Sequence, residues 1–163
     1  MILPLFLSAG CDTTNTTTTD HGRATPRLTQ ARIVFNTTDL LYTGGLGEAG
    51  VEGFCRRLQS NVAQGFAKHG ITVSSNLDPS TPAAKLIVTL STIETKSGGG
   101  LNLLTGVGFN VQKLRAKYSA TLESPDGAFL ASWQHEVDEE GVDKLTEHMA
   151  ADIVKYLKSG FSR

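Results

Sequence analysis

Residues 111–123 read Val-Gln-Lys-Leu-Arg-Ala-Lys-Tyr-Ser-Ala-Thr-Leu-Glu, and this stretch decides the fold. Leu114, Ala116, Tyr118, Ala120 and Leu122 share one parity; Lys113, Arg115, Lys117, Ser119 and Thr121 share the other. Successive side chains of a strand point to opposite faces, so the pattern predicts a strand with one dry and one wet face. That is the mark of an antiparallel sheet covered on one side. Ser124-Pro125-Asp126-Gly127 follows, with proline and glycine where a hairpin turn uses them. The return strand continues the inward pattern through Phe129, Ala131, Trp133 and Val137.

Outward from this hairpin, Lys85 to Thr95 is a strand in which Leu86, Val88 and Leu90 alternate with Ile87, Thr89 and Ser91. Ile71 to Ser74 is a short strand, and Ala31 to Phe35 is the first of the body, followed by a loop carrying Leu40, Leu41 and Tyr42. Two helices complete the pattern. From about Glu48 to Lys68, Val51, Phe54, Leu58, Val62 and Phe66 recur at helical spacing, and His69-Gly70 ends the run. From about Val142 to Ser159, Val142, Leu145, Met149, Ile153, Val154 and Leu157 form one stripe. Glu139, Glu140 and Asp143 crowd the start of that helix and Lys155 and Lys158 its end, which suits the helix dipole. The order is β-α-β-β-β-β-α: an α+β single domain with a mostly antiparallel mixed sheet of about five strands and both helices packed on one face.

The chain has 163 residues, enough for one domain. Its formal net charge of -1 argues against a dedicated nucleic-acid binder. With 39% hydrophobic and 19% charged residues it is a folding chain, not a disordered one. Two cysteines, Cys11 and Cys55, exclude a disulfide-rich scaffold and a multi-cysteine zinc site.

Met1 to Leu7 is apolar, small residues follow at Ser8, Ala9 and Gly10, and then comes Cys11. The segment Leu7-Ser8-Ala9-Gly10-Cys11 resembles the lipobox of bacterial lipoproteins. The resemblance implies a signal peptide over 1–10, diacylglycerol on the Cys11 thiol, and an acylated new amino terminus. It departs from the usual pattern in having Ser8 where leucine is common, no Lys or Arg before Arg23 and a signal of only ten residues; a true start upstream of Met1 explains the missing charge and the short length. Asp12 to Asp20, DTTNTTTTD, contains no apolar residue and reads as part of a tether over 11–26, unable to join a core. An aspartate at the position of Asp12 resembles the inner-membrane retention signal of enterobacterial lipoproteins. The expected location is therefore the cell envelope, lipid-anchored and facing the periplasm, leaning to the inner membrane. The domain, residues 27–163, is expected to reach the bilayer through acylated Cys11 and to meet an envelope protein or copies of itself.

With the lipobox, the element order, Ser97-Gly98-Gly99-Gly100, Gly106-Val107-Gly108-Phe109, the Asp126-Gly127 turn and the closing helix make Arg27 to Phe161 resemble small proteobacterial lipoproteins. Their domain is related in fold to the lipoprotein activators of peptidoglycan synthases, the curli-secretion lipoprotein and the N-terminal domain of TolB. The resemblance implies envelope assembly or partner binding and supplies no catalytic residue.

Four features bear on chemistry. Gly45-Leu46-Gly47-Glu48-Ala49-Gly50 fits the dinucleotide-binding glycine pattern and opens a helix, which makes a nucleotide-binding enzyme the alternative function. It sits about eight residues past its strand and lacks the acidic residue about 20 positions on. Ser97 to Asn110 reads as a long, glycine-rich but apolar loop, so Leu101, Leu103, Leu104, Val107 and Phe109 are the candidate partner-binding residues. Lys113, Arg115 and Lys117 form a basic strand face that either meets an anion or pairs with Glu94, Glu123 or Glu136. His135 and Glu136 fall on opposite strand faces and His148 has no histidine four residues on, so neither a metal site nor a cofactor is expected. No catalytic constellation stands out.

Overall fold

The computed structural model describes residues 16–19, 28–42, 48–101 and 108–161. Strands are β1 (Thr16–Thr19), β2 (Gln30–Asn36), β3 (Leu41–Tyr42), β4 (Thr72–Ser74), β5 (Ala84–Leu101), β6 (Gly108–Glu123) and β7 (Phe129–Glu140). Helix α1 spans Glu48–Ala67 and α2 spans Val142–Leu157, closing in a 3-10 turn over Lys158–Gly160. The sheet order is β1-β7-β6-β5-β2-β4, with β3 also paired to β5. β2 lies parallel to β4 and β5, and β3 parallel to β5; the β5-β6, β6-β7 and β7-β1 pairs are antiparallel. This is the expected α+β body with a mixed, open sheet, enlarged by the short strands β1 and β3.

The hairpin that decided the fold behaves as its sequence requires. Leu114, Ala116, Tyr118, Ala120 and Leu122 are all buried. Gly127 donates its N–H to the Ser124 carbonyl (2.9 Å) and takes φ 84°, a conformation that costs glycine little. α1 buries Phe54, Leu58, Val62 and Phe66, and α2 buries Leu145, Met149, Ile153, Val154 and Leu157 in the same core as the sheet's inner face. Each such side chain contributes roughly 1.5–3 kcal/mol by leaving water. The helices also meet each other: Asn61 Nδ2 donates to Thr146 Oγ1 (3.1 Å), which donates in turn to the Asp143 carbonyl (3.0 Å).

Three expectations are corrected. Phe129 was expected to face inward but is exposed, and Leu130 is buried in its place. The cause is a bulge: Glu123 pairs with Phe129 while Leu122 pairs with Ala131, leaving Leu130 as the extra residue and putting Leu130 and Ala131 together inside. A second shift, at Ser91, moves the buried parity of β5 from Leu90 to Ile93. Second, part of the tether is a strand, with Thr16 to Thr19 pairing with Gln134 to Ala131 of β7. A threonine run needs no apolar residue to extend a sheet through its backbone, and β-branched side chains suit extended geometry. Third, most of the loop expected over Ser97 to Asn110 is strand. β5 and β6 stay paired up to Leu101 opposite Gly108, leaving only residues 102–107 between them.

Candidate functional site

The β5-β6 ribbon is the feature that projects from the body. β7 ends at Glu140 opposite Lys113, and beyond that rung β6 and β5 pair only with each other among the described residues. The pairs there run Ser97–Gln112, Gly98–Val111, Gly99–Asn110, Gly100–Phe109 and Leu101–Gly108. Glycine is a poor strand former, which is why the sequence reads as a loop. The backbone ladder needs no side chain, however, and the rungs from Lys85–Glu123 to Thr95–Leu114 have already fixed the register. Of the candidate binding residues, Leu101 and Phe109 lie in the last rungs of the ribbon; Leu103, Leu104 and Val107 lie outside the described residues. Cys11 and Asp12 lie outside them too.

The basic face of β6 is compensated by its neighbours. Arg115 donates to both carboxylate oxygens of Asp138 (2.6 and 2.9 Å), and its Nε also lies 2.9 Å from Glu136. Lys117 Nζ lies 3.2 Å from the second Glu136 oxygen. Glu94 stands at the rung opposite Arg115. Asp138, which the sequence reading did not weigh, is the principal partner and holds the Arg115 guanidinium more firmly in its charged form. Around Arg115 and Lys117 the face is a cross-strand ion network, half open to solvent, with little positive potential left for an external anion. Arg115→Ala is therefore expected to cost about 1 kcal/mol or less in urea unfolding, shrinking as salt is added. A loss well above that would mark the network as structural rather than a solvated face.

On the inner face Trp133 Nε1 donates to Tyr118 Oη (3.1 Å), and Tyr118 Oη reaches the Met149 carbonyl at 3.5 Å. The Trp133 ring stacks on Tyr156 with centroids 3.6 Å apart and meets His135 edge-on at 5.3 Å. Burial pushes the Tyr118 hydroxyl above the ordinary phenol range. His135 Nδ1 lies 2.7 Å from Asp152 Oδ2, and His148 pairs with Glu139 at 2.8 Å through Nδ1 and faces the same Asp152 oxygen at 3.7 Å through Nε2. Among the described residues no group of three or more His, Cys, Asp or Glu is arranged to hold a metal ion. The His135–Asp152 pair joins strand to helix across 17 positions of sequence, a proximity no local pattern announces.

A groove of about 490 Å³ runs between the helices, bordered by Asn61 and Gln64 of α1, by Lys68 just past its end, and by Glu147, Ala151 and Lys155 of α2. Small residues where the helices meet, Gly65 and Ala150, were the only sequence signal for it. Of the glycine motif, Gly45 and Gly47 lie outside the described residues, while Glu48, Ala49 and Gly50 form the first turn of α1. β2 ends at Asn36 and the two-residue β3 at Tyr42 before α1 opens at Glu48, and β5, β6 and β7 then follow as antiparallel strands instead of the repeated βαβ units of a dinucleotide-binding fold. Cys55 is a half-buried free thiol packed against the core, and burial raises its pKa.

No protein-family model and no curated protein matches this chain. Among solved structures it is similar to the PelC dodecamer from Paraburkholderia phytofirmans, at 14% identity and TM-score 0.54, covering 86% of this chain and 96% of that one. A singly substituted PelC dodecamer from the same organism gives 16% identity and TM-score 0.52, covering 92% of this chain and 99% of that one. A neuraminyllactose-binding hemagglutinin homolog from Helicobacter pylori gives 10% identity and TM-score 0.46, covering 87% and 88%. At these identities the PelC likeness is one of fold.

Proposed function

We propose that this chain is a lipoprotein of the bacterial envelope, anchored through acylated Cys11 and facing the periplasm, whose domain is a non-catalytic assembly module that associates with copies of itself. Between inner and outer membrane, Asp12 favours the inner. The observation that carries the reading is the fold. It spans nearly the whole of a PelC chain that was solved as a dodecamer. The residues with chemical potential support it from the other side. Arg115, Lys117, His135, His148 and Tyr118 are engaged by partners within the domain. Self-association of one chain type ordinarily closes into a symmetric assembly with one repeated interface.

Two measurements test the reading together. The amino-terminal peptide of protein made in bacteria from its native start should begin at Cys11 and carry added acyl mass, absent in Cys11→Ala. The detergent-extracted protein should give a native mass that is a fixed multiple of the chain mass. An uncleaved, unmodified amino terminus removes the anchor, and a strict monomer at every concentration removes the assembly role.

A further inference from the structure

We infer that the free end of the β5-β6 ribbon, residues 97–101 and 108–112, lodges in the surface of the same bilayer leaflet that holds Cys11. The inference rests on the lipoprotein reading and adds which part of the domain meets the lipid.

The first argument is direction and reach. β1 is antiparallel to β7, which is antiparallel to β6, so β1 runs parallel to β6. β6 runs from the free end of the ribbon toward the body. The chain therefore enters β1 from the side on which the ribbon projects. Thr16 is level with Gln134, and Gln134 with Ser119. From Ser119 to Lys113, six residues of strand rise about 20 Å. From Lys113 to Gly108, five more add about 17 Å. Cys11 stands five residues before Thr16 and can lie at most about 18 Å from it, even fully extended. With the ribbon pointing at the membrane, an acylated Cys11 holds the bilayer surface no higher than about the Lys113 rung. In that orientation the part of the ribbon beyond the rung reaches into the lipid surface.

The second argument is independent of the first and concerns charge. From Ser97 to Gln112 there is no Asp, Glu, Lys, Arg or His. Lys96 and Lys113, which bracket this run, are directly opposite each other in register. Like charges at one rung destabilise a sheet in water. Beside anionic headgroups the same rung is favourable, and it falls at the height where the tether places the surface. Glu140 is the next residue across from Lys113, and Lys144 Nζ lies 3.7 Å from its carboxylate, so the collar remains positive. Past β7 no other strand among the described residues pairs with the outer edges of the two-stranded ribbon, and open sheet edges are not tolerated in the hydrocarbon core. The ribbon therefore stops in the headgroup layer and the first part of the acyl chains and does not cross.

The test places tryptophan at Phe109, with Leu101→Trp as a second position should the first misfold, and Phe129→Trp at the far end of the sheet as the reference. Each full chain is expressed from its native start, and its amino-terminal mass is measured first. It is then reconstituted in vesicles of phosphatidylethanolamine and phosphatidylglycerol. The emission added at Phe109 or Leu101 is expected to shift to the blue and to be largely lost when the vesicle lipids carry brominated acyl chains; that added at Phe129 should do neither. Acylated protein whose Phe109 and Leu101 probes both stay water-exposed overturns the ribbon proposal and leaves the anchor standing. A blue shift without bromine quenching places the ribbon against protein and also overturns it. An unacylated Cys11 overturns both.

Discussion

Trp133→Ala should lower the unfolding free energy by about 3–5 kcal/mol, the range for removing a large buried aromatic. That is a fifth or more of the roughly 5–15 kcal/mol that a folded domain typically has. Trp133 is 2% exposed and joins three elements at once. It stands on β7 opposite Ala120 of β6, stacks on Tyr156 of α2, and donates its N–H to Tyr118 of β6. Truncation leaves a cavity that β7 cannot close, because β6 on one side and β1 on the other hold its backbone in register. It also strips the Tyr118 hydroxyl of a donor in a buried site where only a 3.5 Å contact to the Met149 carbonyl remains. Trp133→Phe keeps a ring against Tyr156 and should cost less than half as much. Urea unfolding followed by far-UV circular dichroism is the measurement, since Trp133 is the chain's one tryptophan and its fluorescence goes with it. A loss below about 1 kcal/mol for the alanine variant would mean that Trp133 is not the keystone of the sheet-helix contact.

The same cluster sets a pH limit. Burial raises the Tyr118 pKa in the fold, so the unfolded chain releases its phenol proton first as the pH climbs. The contribution of Tyr118 is complete below the ordinary phenol value of about 10 and declines as the pH rises beyond it toward the folded value. The alkaline unfolding midpoint reports this directly, and it should be steeper in the wild type than in Tyr118→Phe.

How far these features were legible in the sequence depends on whether a residue's partner is local. The parity of Leu114 to Leu122 was readable because a sheet with one dry face writes its geometry into alternate positions. Both helices were readable from their 3.6-residue stripes. The bulges were not, because a bulge is an offset between two strands. Phe129, Leu130 and Ala131 are three apolar residues in a row, and parity alone gives no reason to prefer Leu130 over Phe129 for the core. The spacing of Leu90 and Ile93 was the one hint at Ser91. The glycine ribbon and the Thr16–Thr19 strand were misread for a common reason. Each is held by backbone pairing to a neighbour that is already ordered, while sequence patterns report side chains. The acidic partners of the basic strand were only partly foreseen: Glu136 and Glu94 were named, but Asp138 took the main bond, because which carboxylate two positions along a neighbouring strand reaches a guanidinium depends on register.

One substitution made at two positions of the same helix should act with opposite signs. Gly53 and Gly65 both lie within α1, and alanine in place of a helical glycine is worth up to about 1 kcal/mol in propensity. A Cβ built at Gly53 meets nothing within 4 Å, so Gly53→Ala should stabilise the domain by about 0.5–1 kcal/mol. A Cβ at Gly65 would lie 2.7 Å from Val154 Cγ2, on the contact between α1 and α2. Val154 is itself buried and branched at Cβ, with one strongly preferred helical rotamer, so the methyl cannot swing aside without strain. The helices must part, at a cost of about 1–3 kcal/mol that outweighs the gain in propensity. Gly65→Ala is therefore expected to destabilise. Val154→Ala alone removes buried methyls and should also destabilise, but the pair Gly65→Ala with Val154→Ala should cost less than the two losses added together, since each relieves the other's misfit. Thermal and urea unfolding of the four variants gives the cycle. If Gly65→Ala stabilises as Gly53→Ala does, or if the double variant shows no coupling, the close approach of α1 to α2 at this point is not what fixes their spacing. If the signs differ and the pair couples, Gly65 is where the helix layer is drawn together over the sheet that carries the ribbon.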